Sequence, residues 1–195
     1  MNDLMIDGHR IGVVFTAEEI AARVRAIAEA IAARQPKDLL VVPILKGSFV
    51  FAADLIRAMH HAGLSPEVDF MILSSYRKST KSAGQVTVLR DIETDVRGRD
   101  VLLIDDILES GRTLAFAKDL LSARGARTTL TAVLLHKPGH LAASISADFE
   151  GFLCPDKFVV GYGMDMAHQF RELPFVGHVI SAQQSSAETG AEQKS

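Results

Sequence analysis

Three acidic residues and a short polar loop follow one apolar segment of the chain. Residues 101–104 are apolar and predict a strand buried on both faces, so Asp105 and Asp106 fall at its carboxyl end, where open α/β sheets bind ligands. The loop at 110–113 can turn its backbone N–H groups around a phosphate, and a helix from about Thr113 directs its positive end to the same point. The carboxylates could accept hydrogen bonds from a vicinal diol or hold a divalent cation. One strand-loop-helix unit is therefore predicted to bind a phosphorylated sugar.

Length and composition indicate one ordinary globular domain. The chain has 195 residues, of which 48% are hydrophobic and 23% charged, and we expect one domain over residues 1–180. It shows neither an apolar stretch of membrane-spanning length nor a secretory signal, so we expect a cytoplasmic protein that makes no membrane contact. A single cysteine, Cys154, excludes an intrachain disulfide, and the net charge of −3 gives no general attraction to nucleic acid.

Hydrophobic periodicity predicts alternating strands and helices, and hence a mostly parallel sheet. The predicted helices span 17–34, 49–62 and 113–124, and the predicted strands span 39–45, 68–76, 86–93, 101–104, 128–135 and 158–163, the last of these being the final strand. The basic and small residues at 77–84 are too many for a tight hairpin and predict a mobile flap. Residues 181–195 are almost without apolar side chains and predict a disordered tail.

The segment from 101 to 113 resembles the phosphoribosyl-pyrophosphate motif of type I phosphoribosyltransferases. That motif has four apolar residues, two acids, two apolar residues, an acid, Ser or Thr, Gly, any residue and Thr, and every class of position is filled here. The alternatives are a strand followed by solvated acids and a receiver-like acidic pocket, against which the polar loop counts. The resemblance implies that the donor's phosphoribosyl group contacts Asp105, Asp106, Ser110, Gly111, Arg112 and Thr113.

Other segments are similar to the hypoxanthine-guanine branch of this family, and the resemblance covers about residues 11–180. It implies the type I fold, an α/β fold whose central, mostly parallel sheet is flanked by helices. It also implies a flexible catalytic flap and a small hood, formed by the N-terminal segment and about residues 138–180.

The resemblance assigns further residues to the leaving pyrophosphate and to a metal ion. Lys46 and Gly47 match the pyrophosphate loop, in which the bond between Leu45 and Lys46 is often cis, although an ordinary trans turn is the alternative. Arg171 matches a pyrophosphate-contacting arginine, and Asp165 matches a carboxylate associated with Mg²⁺. The implied cofactor is Mg²⁺, held by Asp165, Asp105 and Asp106.

The resemblance also implies a purine pocket and a closing flap. Lys137 is assigned to the 6-oxo group, Phe158 to stacking on the base, and Val159 to main-chain reading of the purine edge. Ser75 and Tyr76 match the flap that excludes water from a ribosyl cation-like transition state. Taken alone, Lys137 would more often be a surface lysine, and Phe158 would more often be a core residue.

One position departs from the family pattern. Where the family usually places an aspartate that accepts the purine N7 proton, this chain has Glu109, which is one methylene longer. A glutamate still permits general base catalysis, because the ordinary pKa values of the two acids differ little. His136 and His140 flank the same pocket without the spacing of a metal pair, and we favour Glu109 as the catalytic residue.

The resemblance implies a purine salvage enzyme, a pentosyltransferase. It would join hypoxanthine or guanine to 5-phosphoribosyl 1-pyrophosphate, and it would act as a homodimer or homotetramer. One alternative is a regulator that keeps the fold to sense the sugar diphosphate, although a basic stripe for nucleic acid is missing. The other alternative is a transferase for xanthine or another oxopurine.

Overall fold

The computed structural model describes residues 3–75 and 86–180. The predicted flap at 77–84 and the predicted tail at 181–195 lie outside these ranges. In chain order the described elements are β1 (Asp3–Ile6), β2 (His9–Phe15), α1 (Ala17–Ala33), β3 (Leu40–Leu45), α2 (Phe49–His61), β4 (Glu67–Val68), β5 (Met71–Ser75), β6 (Val86–Arg90), β7 (Asp100–Leu108), α3 (Arg112–Ala123), β8 (Thr128–His136), β9 (Phe149–Leu153), β10 (Val159–Val160) and β11 (Val176–Ile180).

A seven-stranded sheet forms the centre of the molecule. Its order is β6-β5-β3-β7-β8-β9, with β4 pairing on β3, and all its pairs are parallel except the antiparallel pair of β5 and β6. Residues 101–104 of β7 are fully buried, as the apolar run predicts. The mostly parallel sheet predicted from the alternation of elements is confirmed.

Helices cover both faces of this sheet. Helix α1 begins at a capping box, in which the Glu19 N–H donates to Thr16 Oγ1 at 3.3 Å and the Thr16 N–H donates to Glu19 Oε2 at 2.8 Å. The apolar stripe of α1 packs with α2 against Leu102 and Ile104. Leu103 belongs to a second cluster that contains the buried residues of α3. Successive side chains of β7 therefore point to opposite faces of the sheet and pack against different helices.

A second, antiparallel sheet has the strand order β1-β2-β11-β10. A small core holds it together, consisting of Ile11, Val160, Phe170 and Leu173. We call this sheet, with the turns at 161–175, the hood. Strand β9 pairs with β8 as the edge strand of the central sheet and is not part of the hood.

Three expectations about strands are wrong. The predicted last strand at 158–163 is ordered as a strand only at Val159–Val160, because Gly161, Tyr162 and Gly163 have φ values of 93°, 50° and 100° and turn the chain. Within residues 3–75 and 86–180, the final strand is instead β11. The predicted strand at 68–76 is broken into β4 and β5, since the Asp69 carboxylate accepts N–H bonds from Phe70 and from residues 93 and 94.

The third correction concerns the acids. Strand β7 continues past residue 104 to Leu108, which pairs with His136 of β8, whereas the pairing of β7 with β3 stops at Ile104. Asp105 and Asp106 therefore lie inside β7, on a part of the strand that β3 no longer covers. None of the helices in the described ranges is long and apolar enough to cross a membrane.

Candidate active site

A cleft of about 620 Å³ opens at the carboxyl ends of the adjacent strands β3 and β7. Its walls are residues 44–47, 73, 105–114 and 140. Strands β3, β7 and β8 end immediately before Lys46, Glu109 and Lys137 respectively, so the sheet brings these three predicted site residues to one edge.

Asp105 and Asp106 form a carboxylate pair in which Asp105 is buried and Asp106 is partly buried. Asp105 Oδ1 accepts the Asp106 N–H at 3.1 Å, and Asp106 Oδ1 accepts the Ile107 N–H at 3.0 Å. Burial, followed by the neighbouring charge of Asp106, raises the pKa of Asp105 well above its usual range. Burial raises the pKa of Asp106 as well, while the positive charge of Arg171 acts in the opposite direction. Hydroxyl donors or a cation would stabilise the ionised pair.

The polar loop at 110–113 is fixed by the segment that follows β8. The Ser110 carbonyl accepts N–H bonds from Ala142 and Ala143 at 2.9 and 3.2 Å. Gly111 is the N-cap of α3 at φ 72°, and a Cβ there would lie 2.6 Å from Ile145 Cγ2. The loop thus presents the N-terminal N–H groups of α3, where Arg112 and Thr113 begin the helix, to the cleft.

The predicted pyrophosphate loop lies directly against the acid pair. The bond between Leu45 and Lys46 is cis, which confirms that prediction. A Cβ on Gly47 would lie 1.8 Å from Asp106 Oδ2, so only glycine fits at this position without displacement. Ser48, fully buried, donates its hydroxyl to the Ile44 carbonyl at 2.6 Å and anchors the start of α2.

Asp165 and Arg171 form an ion pair in the hood. Arg171 Nη2 lies 2.6 Å from Asp165 Oδ1, and Nη1 donates to the Gly163 carbonyl at 2.6 Å. The other oxygen of Asp165 accepts the His168 N–H at 2.8 Å. Burial raises the pKa of Asp106 and the charge of Arg171 opposes this rise, so the hood contributes positive charge to the same region as the acid pair.

Lys137 and Glu109 face each other at the ends of adjacent strands. The Lys137 N–H donates to the Leu108 carbonyl at 2.9 Å, and Lys137 Nζ lies 3.7 Å from Glu109 Oε1. The Lys137 side chain is only 9% exposed and that of Glu109 is 33% exposed. Lys137 is therefore not the surface lysine of the alternative interpretation. The buried ammonium of Lys137 can donate to one ligand atom, and the partly accessible carboxylate of Glu109 can accept from a neighbouring one.

Phe158 and Val159 lie at the start of β10, beside β11. Val159 is buried and pairs with His178, while the Phe158 carbonyl accepts the Val179 N–H at 3.4 Å. Phe158 is 58% exposed, which rules out the alternative that it is a core residue. Ser75 ends β5, and Tyr76 lies outside the described residues.

Sequence reasoning missed two features of the site. His140, on the wall of the cleft, pairs with Asp156 at 3.0 Å and so connects the segment after Lys137 to the segment before Phe158. Tyr162 and Gly163 form a buried turn that contacts the pyrophosphate loop. A tyrosine flanked by two glycines was the available signal for such a turn.

Comparisons with known proteins agree with the fold. A family model described as phosphoribosyl transferase domain matches residues 13–167. A hypoxanthine phosphoribosyltransferase of Escherichia coli (strain K12) is 39% identical over 175 residues, which are 88% of this chain and 97% of that protein. A hypoxanthine-guanine phosphoribosyltransferase of Bacillus subtilis (strain 168) is 43% identical over 166 residues, 85% of this chain and 91% of that protein.

Among solved structures, a hypoxanthine phosphoribosyltransferase from Staphylococcus aureus is similar with a TM-score of 0.80 and 37% identity, covering 86% of this chain and 90% of that one. These matches confirm both the resemblance and the predicted fold class. The chain belongs to the phosphoribosyltransferase family, in its hypoxanthine-guanine phosphoribosyltransferase group.

Proposed function

We propose that this protein is a purine salvage enzyme. It transfers the 5-phosphoribosyl group of 5-phosphoribosyl 1-pyrophosphate to N9 of hypoxanthine or guanine, which gives the nucleoside 5′-monophosphate and pyrophosphate. The observation that carries the proposal is that the buried Lys137 lies 3.7 Å from Glu109, at the edge of a cleft. The same cleft is lined by the carboxylate pair and by the polar loop at 110–113. In support, one of the relatives above is named a hypoxanthine phosphoribosyltransferase and the other a hypoxanthine-guanine phosphoribosyltransferase.

The donor's sugar is proposed to bind the acid pair. Asp105 and Asp106 accept hydrogen bonds from the ribose hydroxyls, which stabilises two carboxylates whose pKa values burial has raised. The N–H groups of the loop at 110–113 and the positive end of α3 hold the 5′-phosphate. The reacting C1 of the sugar is then fixed by contacts on both sides.

The leaving pyrophosphate is proposed to bind Lys46, Gly47 and Arg171. Mg²⁺ generally takes one or two carboxylates together with substrate phosphates and water. Residues 3–75 and 86–180 contain no group of three or more His, Cys, Asp or Glu side chains arranged as a metal site, which fits an ion that binds together with the diphosphate. Asp165 and the pair Asp105 and Asp106 would hold it, and its charge would stabilise the departing diphosphate.

The purine is proposed to bind between the strand ends and the hood. Lys137 donates to the 6-oxo group, Glu109 accepts the N7 proton, Phe158 stacks on the ring, and Val159 reads its edge through main-chain groups. An ammonium cannot accept a hydrogen bond, so the 6-amino group of adenine would leave both groups unpaired. The side-chain pair thereby selects oxopurines.

We also propose how water is excluded from the cleft and how the protein assembles. Ser75 and Tyr76 belong to a flap that closes over the bound substrates, since water would otherwise capture C1 of the sugar. The domain at 1–180 acts in the cytoplasm as a homodimer or homotetramer. Phe49, at the start of α2, is 45% exposed and offers apolar surface for a second copy.

The test is an initial-rate assay with the donor, Mg²⁺ and one free purine at a time. We expect turnover with hypoxanthine or guanine and little with adenine. Rapid use of adenine would contradict the role of Lys137, and preferred use of xanthine would change the assigned substrate. A regulator would bind the donor in calorimetry without consuming any base.

A further inference from the structure

Tyr162, in the hood, has an unusual backbone conformation. It has a φ of 50°, a region that side-chain-bearing residues rarely adopt, and it lies between two glycines with φ of 93° and 100°. The side chain is nevertheless buried, and its hydroxyl donates to Asp54 Oδ2 of α2 at 2.5 Å. Burial, reinforced by the bond to Asp54, raises the pKa of Tyr162, so the hydroxyl keeps its proton at neutral pH. One hydrogen bond thus joins the hood to the helix that follows the pyrophosphate loop.

The turn that carries Tyr162 is in backbone contact with this loop. A Cβ on Gly163 would lie 2.3 Å from the Gly47 carbonyl oxygen, and a Cβ on Gly47 would lie 1.8 Å from Asp106 Oδ2. The turn, the loop and the acid pair are therefore stacked without space for a methyl group. A displacement of the turn changes the surroundings of Gly47.

The same turn positions the arginine of the site. Arg171 Nη1 donates to the Gly163 carbonyl at 2.6 Å, and the Gly163 N–H donates to the Arg171 carbonyl at 3.0 Å. The Tyr162 N–H donates to the Leu173 carbonyl at 2.8 Å. Arg171 is thus bonded to the turn through both its main chain and its side chain, and it follows any movement of that turn.

We propose that the hydrogen bond between Tyr162 and Asp54 is a latch that holds Gly47 and Arg171 in register with Asp106 for the donor's pyrophosphate. Tyr162 and Asp54 are then positioning residues for the donor and make no contact with it. The inference rests on the proposed function, because it assigns the pyrophosphate to this loop. Loss of the latch should affect the donor and not the purine, since the latch lies on the donor's side of the cleft and Lys137 on the purine's side.

The test compares Tyr162→Phe, Asp54→Ala and the double variant with the unmodified protein. Phenylalanine keeps the buried ring and removes only the hydroxyl. We expect the donor KM to rise about tenfold in each single variant, which is the scale of one lost hydrogen bond to a charged group, and to rise no further in the double variant. The hypoxanthine KM should stay within about twofold. Calorimetry with the donor and Mg²⁺ should show the same loss of affinity without any turnover.

A matched control removes a hydrogen bond of similar burial elsewhere. Thr131 is fully buried, and its hydroxyl donates to Asp148 Oδ2 at 2.9 Å, outside the cleft. Thr131→Val should lower the melting temperature and leave both KM values unchanged. An unchanged donor KM in Tyr162→Phe, an equal rise in both KM values, or multiplied effects in the double variant would overturn the latch. Absence of any phosphoribosyl transfer by the unmodified protein would instead overturn the proposed function.

Discussion

Gly47→Ala is the change whose consequence follows most directly from the geometry. An alanine Cβ would lie 1.8 Å from Asp106 Oδ2, whereas ordinary contact begins at 3.4 Å, so the loop or the carboxylate must move by about 1.6 Å. Gly47 does not have a positive φ, so alanine meets no backbone barrier of its own. Since a misplacement of about 1 Å can cost as much as 10²-fold in rate, we expect kcat/KM for the donor to fall by about 10²-fold or more.

The assay measures kcat/KM for the donor at saturating hypoxanthine, with the folded fraction determined by circular dichroism. Gly151→Ala is the matched control. Gly151 lies in β9, outside the cleft, and its added Cβ would lie 2.2 Å from the Leu134 carbonyl oxygen. We expect this control to lose stability while its folded fraction keeps the normal kcat/KM. A Gly47→Ala enzyme within about threefold of normal kcat/KM would refute the tight contact between the loop and the acid pair.

Three further predictions concern charged groups in the cleft or directly beside it. Glu109→Gln should lower kcat by roughly 10²-fold with little change in donor affinity, because it removes the proton acceptor and keeps the shape; a near-normal kcat in single-turnover kinetics would remove Glu109 from the mechanism. Asp105→Asn should abolish tight donor binding yet stabilise the unliganded protein, because burial raises the pKa of Asp105 in the folded state and makes its ionisation costly. The gain in the free energy of unfolding should be full above that raised pKa and vanish as the pH falls below about 3.9, the ordinary pKa of an aspartate. Urea melts across pH would check this. Lys137→Met should reduce kcat/KM for hypoxanthine more than tenfold, whereas the surface variant Lys118→Met should not; equal effects would deny Lys137 a specific role.

The central part of the fold was predictable because its signals are local. A run of four apolar residues before two acids predicts a buried strand whatever the rest of the chain does, and β7 is such a strand. Likewise, the capping box at the start of α1 is a pattern of four consecutive residues, and the apolar residues at helical spacing in α1 face the core.

The hood was less predictable because its strands are defined by distant partners. Strand β2 pairs with β11, with Val13 opposite Gly177, and neither strand has strong alternation of its own. The φ values of Gly161 and Gly163 end β10 after two residues, although the sequence there is apolar enough for a longer strand.

The candidate site shows the same division. Asp105, Asp106 and the loop after them are adjacent in the sequence, so their pattern identified them. The pairing of Lys137 with Glu109 and the stacking of Gly163 on Gly47 are contacts between separate segments, and only the folded chain brings these residues together. The sequence identified Glu109 as the candidate catalytic residue, but it could not predict that Glu109 lies 3.7 Å from Lys137.

The most direct measurement of the central claim is the product balance of a single incubation. Purified protein is mixed with hypoxanthine, 5-phosphoribosyl 1-pyrophosphate and Mg²⁺, and the base consumed, inosine monophosphate formed and pyrophosphate released are quantified together. We expect equal amounts of all three, and no adenosine monophosphate when adenine replaces hypoxanthine. Donor binding without loss of base, or pyrophosphate release without nucleotide, would contradict the proposed transferase activity.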